Sequence, residues 1–313
     1  MYGKAEKNIQ EMIDNVYTNY SKETGLDVQT LKELLSKSDS KKMWKEMKKQ
    51  GLDLYIKNNY KSRITRLERL KMQVYAKAKE LYNKERLTST KLYKKILKNN
   101  YYRGIYDIQT GVGLNFSFSK LDENMIKVLL QDNWSGKNYS RRIWDNTDIL
   151  AESLAEELGG AILSGQGLEK TARMIGRRFG VAEYYAIRLI RTEVNHFHNE
   201  ADMLAYKEMG VDKYVFVATL DNRTSAICQE LDGKVFLVKD KIEGKNAPPM
   251  HPNCRSVTRA YVDDVAEQRV KRWARDPVTG ETKKIGNKTY KEWYEDNVEK
   301  YGQDVVDRSY KKI

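Results

Sequence analysis

All three histidines and both cysteines of this 313-residue chain, His196, His198, Cys228, His251 and Cys254, fall between positions 196 and 254. Cys228 together with His251-Pro252-Asn253-Cys254 supplies one thiolate and a tight His-x-x-Cys pair on a proline-constrained loop. That combination of soft ligands suits a tetrahedral zinc site. His196, Asp221 or a water could complete it, and a water would leave the open position that catalytic zinc requires. A plainer reading of the same residues stands beside it. In that reading Cys228 and Cys254 are small core side chains and His251 fixes its loop through hydrogen bonds from its ring. Two cysteines are too few for a secreted disulfide framework and fit a reducing compartment, so no disulfide is expected.

Around this cluster lie polar residues dense enough to form a network. Arg191-Thr192-Glu193 precedes it, and Asp221-Asn222-Arg223-Thr224-Ser225 leads directly to Cys228. Asp221 can accept from backbone donors in a turn, Ser225 can cap the segment leading to Cys228, and Arg191 or Arg223 can fork onto Glu193 or Asp221. A structural polar network of Arg191, Glu193, Asp221, Arg223, Thr224, Ser225 and Arg255 is the expectation. Glu193 could act as a general base for a metal-dependent hydrolase only with a cleft around it and a shifted pKa, neither of which is legible in sequence.

The elements that must hold these groups can be read from periodicity. Proline is absent before Pro248, so long helices can run unbroken. Tyr60, Ile64, Leu67, Val74, Ala78 and Leu81 form one apolar stripe at helical spacing; Tyr93, Leu97, Tyr101, Ile105 and Ile108 form another. Thr88-Ser89-Thr90 between them offers N-cap residues, which predicts a helical hairpin. Helices are expected again at 147–165, at about 168–179, and at 182–209 with Gly210 as the C-cap. The period then changes. Tyr214-Val215-Phe216-Val217 and Lys234-Val235-Phe236-Leu237-Val238 read as strands, Asp276-Pro277-Val278-Thr279-Gly280 as a turn, and Thr289 to Tyr301 as a helix. The fold class is therefore α+β: a mainly helical N-terminal region, then a helix-rich module with a few short antiparallel strands and a His/Cys-bearing loop. The expected domains are a basic helical arm at 1–120, a module at 121–262 and a C-terminal appendage at 263–313.

Charge narrows the partners. The chain has 57 Lys and Arg against 44 Asp and Glu, and residues 1–103 hold 25 of these bases but 12 of the acids, so the whole excess lies in the first third. Such a region favours a polyanion, with double-stranded DNA or an acidic protein surface as candidates and a plain solvated helix face as the alternative. Lys94, Lys95 and Lys98, off the apolar stripe, are the nucleic-acid-binding candidates. No apolar stretch approaches the roughly 20 residues needed to cross a bilayer, and the N-terminus has no signal-like apolar segment, so no membrane partner is expected.

At this point the motifs carry a resemblance. Asp221-x-Arg223-Thr224-Ser225-x-x-Cys228-x-x-Leu231-Asp232-Gly233, followed by Pro248-Pro249-x-His251-Pro252-x-Cys254-Arg255-Ser256, resembles the phage Mu F-like head morphogenesis family. Trp134-Ser135-Gly136, Tyr139-Ser140-x-Arg142-Ile143-Trp144 and Arg191-Thr192-Glu193 are similar to the family's pattern in its usual order, so coverage runs from about 130 to 262. The resemblance implies a low-copy minor head protein of the virion, located in the capsid interior near the portal and in the host cytoplasm during assembly. Its implied partners are the portal protein and a scaffold or major capsid protein. It implies a role in procapsid assembly, DNA packaging or DNA delivery, and no enzymatic activity. Two further readings remain: a metal-dependent enzyme, a hydrolase or one that modifies a host protein, built on Cys228, His251 and Cys254; and a DNA-binding protein without sequence preference.

Overall fold

The computed structural model describes residues 1–9, 11, 66–113, 116–163 and 168–310. Residues 2–9 are helical. Then come helices α1 (Arg66–Val112), α2 (Glu123–Gln131), α3 (Tyr139–Leu163) and α4 (Leu168–Glu208). With no proline to remove a backbone donor, α1 runs for 47 residues and α4 for 41.

The expected hairpin is absent, because α1 continues straight through Thr88-Ser89-Thr90. Thr88 donates its hydroxyl to the Lys84 carbonyl (2.8 Å) and is satisfied within the helix instead of capping a new one. The two apolar stripes are one stripe whose middle members are polar: Leu81, Glu85, Ser89, Tyr93, Leu97, Tyr101 and Ile105 are all buried at successive four-residue steps. Glu85 is tolerated there because the Tyr2 hydroxyl donates to it (2.8 Å). Tyr60 and Ile64 lie outside the described residues. The expected separation between 179 and 182 is likewise bridged, and α4 ends where predicted. Gly210 takes a left-handed φ of 66°, with Val211 N–H donating to the Tyr206 carbonyl (2.8 Å) and Gly210 N–H to that of Lys207 (3.3 Å). This is a Schellman ending.

Two compact units result, one of Met1–Ser89 with Tyr139–Ile187 and the other of Thr90–Asn138 with Arg188–Ile313. Helices α1 and α4 contribute to both. In the first unit Val74, Leu81, Leu150, Leu154, Leu158, Ile175 and Phe179 form the core. In the second, α1 and α4 pass closely at Gly104, where a Cβ would lie 2.9 Å from that of Ala205. Tyr93 and Phe197 pack with ring centroids 4.8 Å apart.

The second unit adds β1 (Lys213–Val217), α5 (Ala226–Leu231), β2 (Val235–Leu237) and β3 (Val257–Ala260). The strands form an antiparallel sheet in the order β2-β1-β3, with Tyr214 opposite both Phe236 and Ala260. Both strands read from sequence are present, and the α+β class holds. Beyond them come α6 (Asp264–Arg269), a hairpin of β4 (Lys271–Arg275) and β5 (Thr282–Gly286), then α7 (Tyr290–Tyr301) and α8 (Gln303–Tyr310). The turn at 276–280 closes that hairpin, with Asp276 Oδ1 accepting from the N–H groups of Val278 (2.9 Å) and Thr279 (3.0 Å). Thr289 and Glu292 start α7 with a capping box.

This last stretch is no loose appendage. Leu220, Ala274, Tyr290 and Trp293 share an apolar cluster, and Arg275 N–H donates to the Leu220 carbonyl (2.9 Å). Beneath them Arg272 forks onto Asp232, both contacts at 2.9 Å, with the two side chains buried.

Candidate functional site

The Cys/His loop is shaped locally before it is positioned globally. A cis Pro248-Pro249 bond leads into it, Cys254 N–H donates to the His251 carbonyl (3.1 Å), and Asn253 takes a left-handed φ of 61°, which Asn tolerates better than most residues. Opposite the loop, α5 carries Cys228 at its third position. Cys228 Sγ lies 3.8 Å from Cys254 Sγ and 3.5 Å from His251 Nε2. The three residues expected to bind metal are thus brought together, with their ligand atoms all within 4.8 Å of one another.

The donor chemistry fits zinc. Tetrahedral bonds of zinc to sulfur and nitrogen place two sulfurs about 3.8 Å apart and a sulfur and a nitrogen about 3.6 Å apart, close to the spacings present. His251 Nδ1 lies 2.9 Å from the Pro252 carbonyl, which can only accept, so Nδ1 carries the proton and Nε2 presents its lone pair toward the cysteines. The cysteines differ in acidity. A hydrogen bond from the Cys228 thiol, outweighing burial and helped by backbone N–H donors and His251, holds Cys254 down at about 5. The same bond, together with burial, pushes Cys228 up. The pair sits inside an apolar pocket of Phe216 and Ala218, with Leu231, Phe236 and Met250 against it.

Neither side chain considered as a fourth ligand completes the set. His196 Nδ1 is 2.6 Å from Glu243, and Asp221 is gripped by Arg255. Ser225 holds the N-cap position of α5, but its hydroxyl makes no capping bond and lies 2.8 Å from His251 Nε2.

Of the arginines expected in the polar network, Arg255 is the one that forks onto Asp221, in place of Arg191 or Arg223. Arg255 makes the bidentate fork, at 2.7 Å through Nη2 and a shorter contact through Nη1. Arg223 stands off at 3.9 Å. Burial alone would raise the Asp221 pKa, but the bonds and charge of Arg255, the Arg223 N–H and the Arg223 charge hold it below the usual carboxylate range. Thr224 joins through its hydroxyl, 3.2 Å from Asp221. Arg191 is exposed, and Glu193 is fully buried, accepting from the Trp134 indole (3.2 Å).

What sequence reasoning missed is how α4 anchors the loop and the sheet. Thr192 accepts from Asn253 N–H (3.0 Å), Asn195 donates to the Ser256 carbonyl (2.8 Å), and Asn199 accepts from Thr258 N–H (3.0 Å). These buried polar side chains recur at helical spacing, 192, 195 and 199, and this was the available signal. Further along, Trp134 stacks on His196 (centroids 4.7 Å apart, planes at 11°). His196, Glu200 and Glu243 come within 4.8 Å of one another, but Lys241 pairs with Glu200, so a cation of the chain already serves that group.

The lysines singled out for nucleic acid are divided. Lys98 pairs with Glu123 of α2, Lys94 lies 3.8 Å from the same carboxylate, and Lys95 is exposed. Most of the charge excess lies on α1, whose residues 66–103 hold 12 Lys and Arg against 3 acids, whereas residues 12–65, with 11 bases against 7 acids, lie outside the described residues.

With the site in place, comparison with known proteins gives a consistent result. Residues 152–259 match the family described as Phage Mu protein F like protein. That span runs from α3 through α4 and the Cys/His loop to β3 and includes the two motifs around Cys228 and Cys254 that carry the resemblance. A curated relative, the NAD(+)--arginine ADP-ribosyltransferase EFV of Enterococcus faecalis (strain ATCC 700802 / V583), is 27% identical over 216 residues. The alignment covers 64% of this chain and 43% of that relative, so the chain spans less than half of its length. No solved structure matches. Among the described residues no helix is long and apolar enough to cross a membrane.

Proposed function

We propose that the protein is a minor head component of a tailed bacteriophage, residing in the capsid interior near the portal and acting in procapsid assembly, DNA packaging or DNA delivery. The observation that carries this reading is the Mu F-like match over residues 152–259, the span holding α4 and the loop it anchors. The portal is the proposed main partner, with scaffold or major capsid protein beside it. The module at 121–262 is the proposed docking part. Co-expression with the cognate portal is expected to give a complex that survives purification. If both proteins are soluble yet never co-purify, and virions made without this chain keep their composition, the reading fails.

The basic region at 1–103 is proposed to bind double-stranded DNA through phosphates. Each neutralised phosphate contributes about 0.9 to the negative slope of log K against log salt, so binding should collapse as salt rises. Replacing Lys94, Lys95 and Lys98 by Glu should weaken all sequences alike, and a salt-independent or unchanged affinity would move the charge to an acidic protein surface.

Zinc at Cys228, His251 and Cys254 is proposed as a structural ion that clamps α5 to the loop. The named activity of the relative favours a second, enzymatic reading. It is the weaker one, since more than half of that relative lies outside the alignment. Consumption of NAD+ by the purified chain in the presence of an arginine acceptor would overturn this ranking.

A further inference from the structure

Arg223, Arg275 and Arg308 line one groove of about 760 Å³. Its walls come from three places: the turn after β1, the β4–β5 turn and α8. The walls are tied together, since Asn222 Nδ2 donates to the Ser309 carbonyl (3.1 Å). Arg275 Nε donates to the Gly280 carbonyl (3.1 Å) and Arg308 Nε to the Asp304 carbonyl (3.0 Å). Both guanidinium groups are thus oriented by neutral carbonyls through Nε. Among the described residues neither is in an ion pair, so their terminal nitrogens keep their charge uncompensated. Arg223 is half exposed, and its ion-pair neighbour among the described residues is Asp221, 3.9 Å away, which Arg255 already grips with two bonds.

The groove holds one carboxylate, that of Asp276, and the fold has committed it. Asp276 accepts from the Val278 and Thr279 N–H groups and from the Tyr301 hydroxyl (2.6 Å), with Lys300 at 3.2 Å. Three cationic forks therefore surround a recess without an available anion of its own. Planar guanidinium forks match carboxylates and phosphates, so the complementary ligand is anionic. The wall also carries Pro277, Val278 and Val305, and none of the lining residues is aromatic. Single strands are held by aromatic stacking platforms and duplexes by long basic tracks, and this recess offers neither. An extended peptide with alternating acidic and aliphatic side chains fits both features.

We propose that this groove docks an acidic segment of a protein partner through Arg–carboxylate forks. The proposal rests on these residues alone and does not depend on the Mu F-like reading. The test uses the full chain and a fluorescein-labelled peptide of alternating Glu and Val, followed by anisotropy. Binding is expected, weakening as salt rises. The Arg275→Gln/Arg308→Gln variant should lose about tenfold or more, as expected for loss of paired charged anchors. Both side chains are exposed, so its melting temperature should match that of the parent. Should that variant fold poorly, Arg275→Lys/Arg308→Lys decides, since it keeps the charge but loses the fork and should bind severalfold more weakly. Absence of peptide binding by the parent, or equal binding by the Gln and Lys variants, would overturn the proposal. So would an oligothymidine strand that displaces the peptide and loses affinity in the same variants, which would make the groove a nucleic-acid site.

Discussion

Replacing Asp232 by Ala is expected to destabilise the second unit by about 3–5 kcal/mol, the usual consequence of leaving a buried charge without its partner. Asp232 accepts both forks of Arg272, the Ala218 N–H (2.6 Å) and the Tyr290 N–H (2.6 Å). Arg272 in turn donates to the carbonyls of Ala218 (2.6 Å) and Lys288 (2.7 Å). One carboxylate therefore joins the end of β1, strand β4 and the start of α7. Its neighbour Gly233 tightens the same joint, since it takes a φ of 80° and a Cβ there would lie 2.8 Å from Thr289 Cγ2. Removing the carboxylate strands the guanidinium and two backbone donors together. Removing both charges is milder, so Asp232→Leu combined with Arg272→Met should recover much of the loss, although the Ala218 and Tyr290 N–H groups keep some penalty. Urea unfolding of parent, single and double variants reads this directly. A single variant that loses less than about 1 kcal/mol, or a double variant no better than the single, would mean that the C-terminal hairpin is held by its apolar cluster alone.

The contrast between this joint and the Cys/His loop explains which parts were legible beforehand. Cys228, His251 and Cys254 could be grouped because their side-chain types are chemically selective, and two of them lie on one short loop where spacing fixes distance. Asp232 lies within one of the Mu F-like motifs, but its partner Arg272 is a common residue 40 positions away that nothing local distinguishes from a surface charge. Choosing Arg255 over Arg223 for Asp221 likewise depends on how β3 pairs with β1, a tertiary fact. Within α1 the helical period was legible at both ends, but its polar middle misled. Glu85 and Ser89 occupy stripe positions, and cap-forming residue types next to them read as a break. Capping preferences amount to about 1 kcal/mol, whereas the continuous buried stripe contributes several times that. The strands of the β4–β5 hairpin were missed for a related reason. Lys271–Arg275 and Thr282–Gly286 are rich in exposed Lys and Arg, so the apolar alternation that identifies a strand is weak.

Stripping zinc should be the other large perturbation, because the ion would bridge α5 and the loop, which otherwise meet through packing and the 3.8 Å contact of Cys228 with Cys254. Protein purified without chelator is expected to carry one zinc per chain. If free zinc normally exceeds the dissociation constant about a thousandfold, its removal costs about 4 kcal/mol. For a unit of this size that lowers the melting temperature by roughly 10 °C. Cys254→Ser should reproduce the shift and abolish the response to chelator. A Ser225→Ala variant separates ligand from scaffold: its hydroxyl bonds His251 Nε2, the atom that would face the metal, so its loss should leave the zinc content intact. The apolar setting permits the opposite result. With Phe216, Ala218 and Leu231 packed around them, two reduced cysteines are also acceptable as small core residues. In that case the protein would contain no stoichiometric zinc, chelator would leave its melting temperature unchanged, and Cys254→Ala would cost only the lost packing. Metal content and chelator response must move together for the ion to be structural; a chain that binds zinc without gaining stability would have a site filled but not used by the fold.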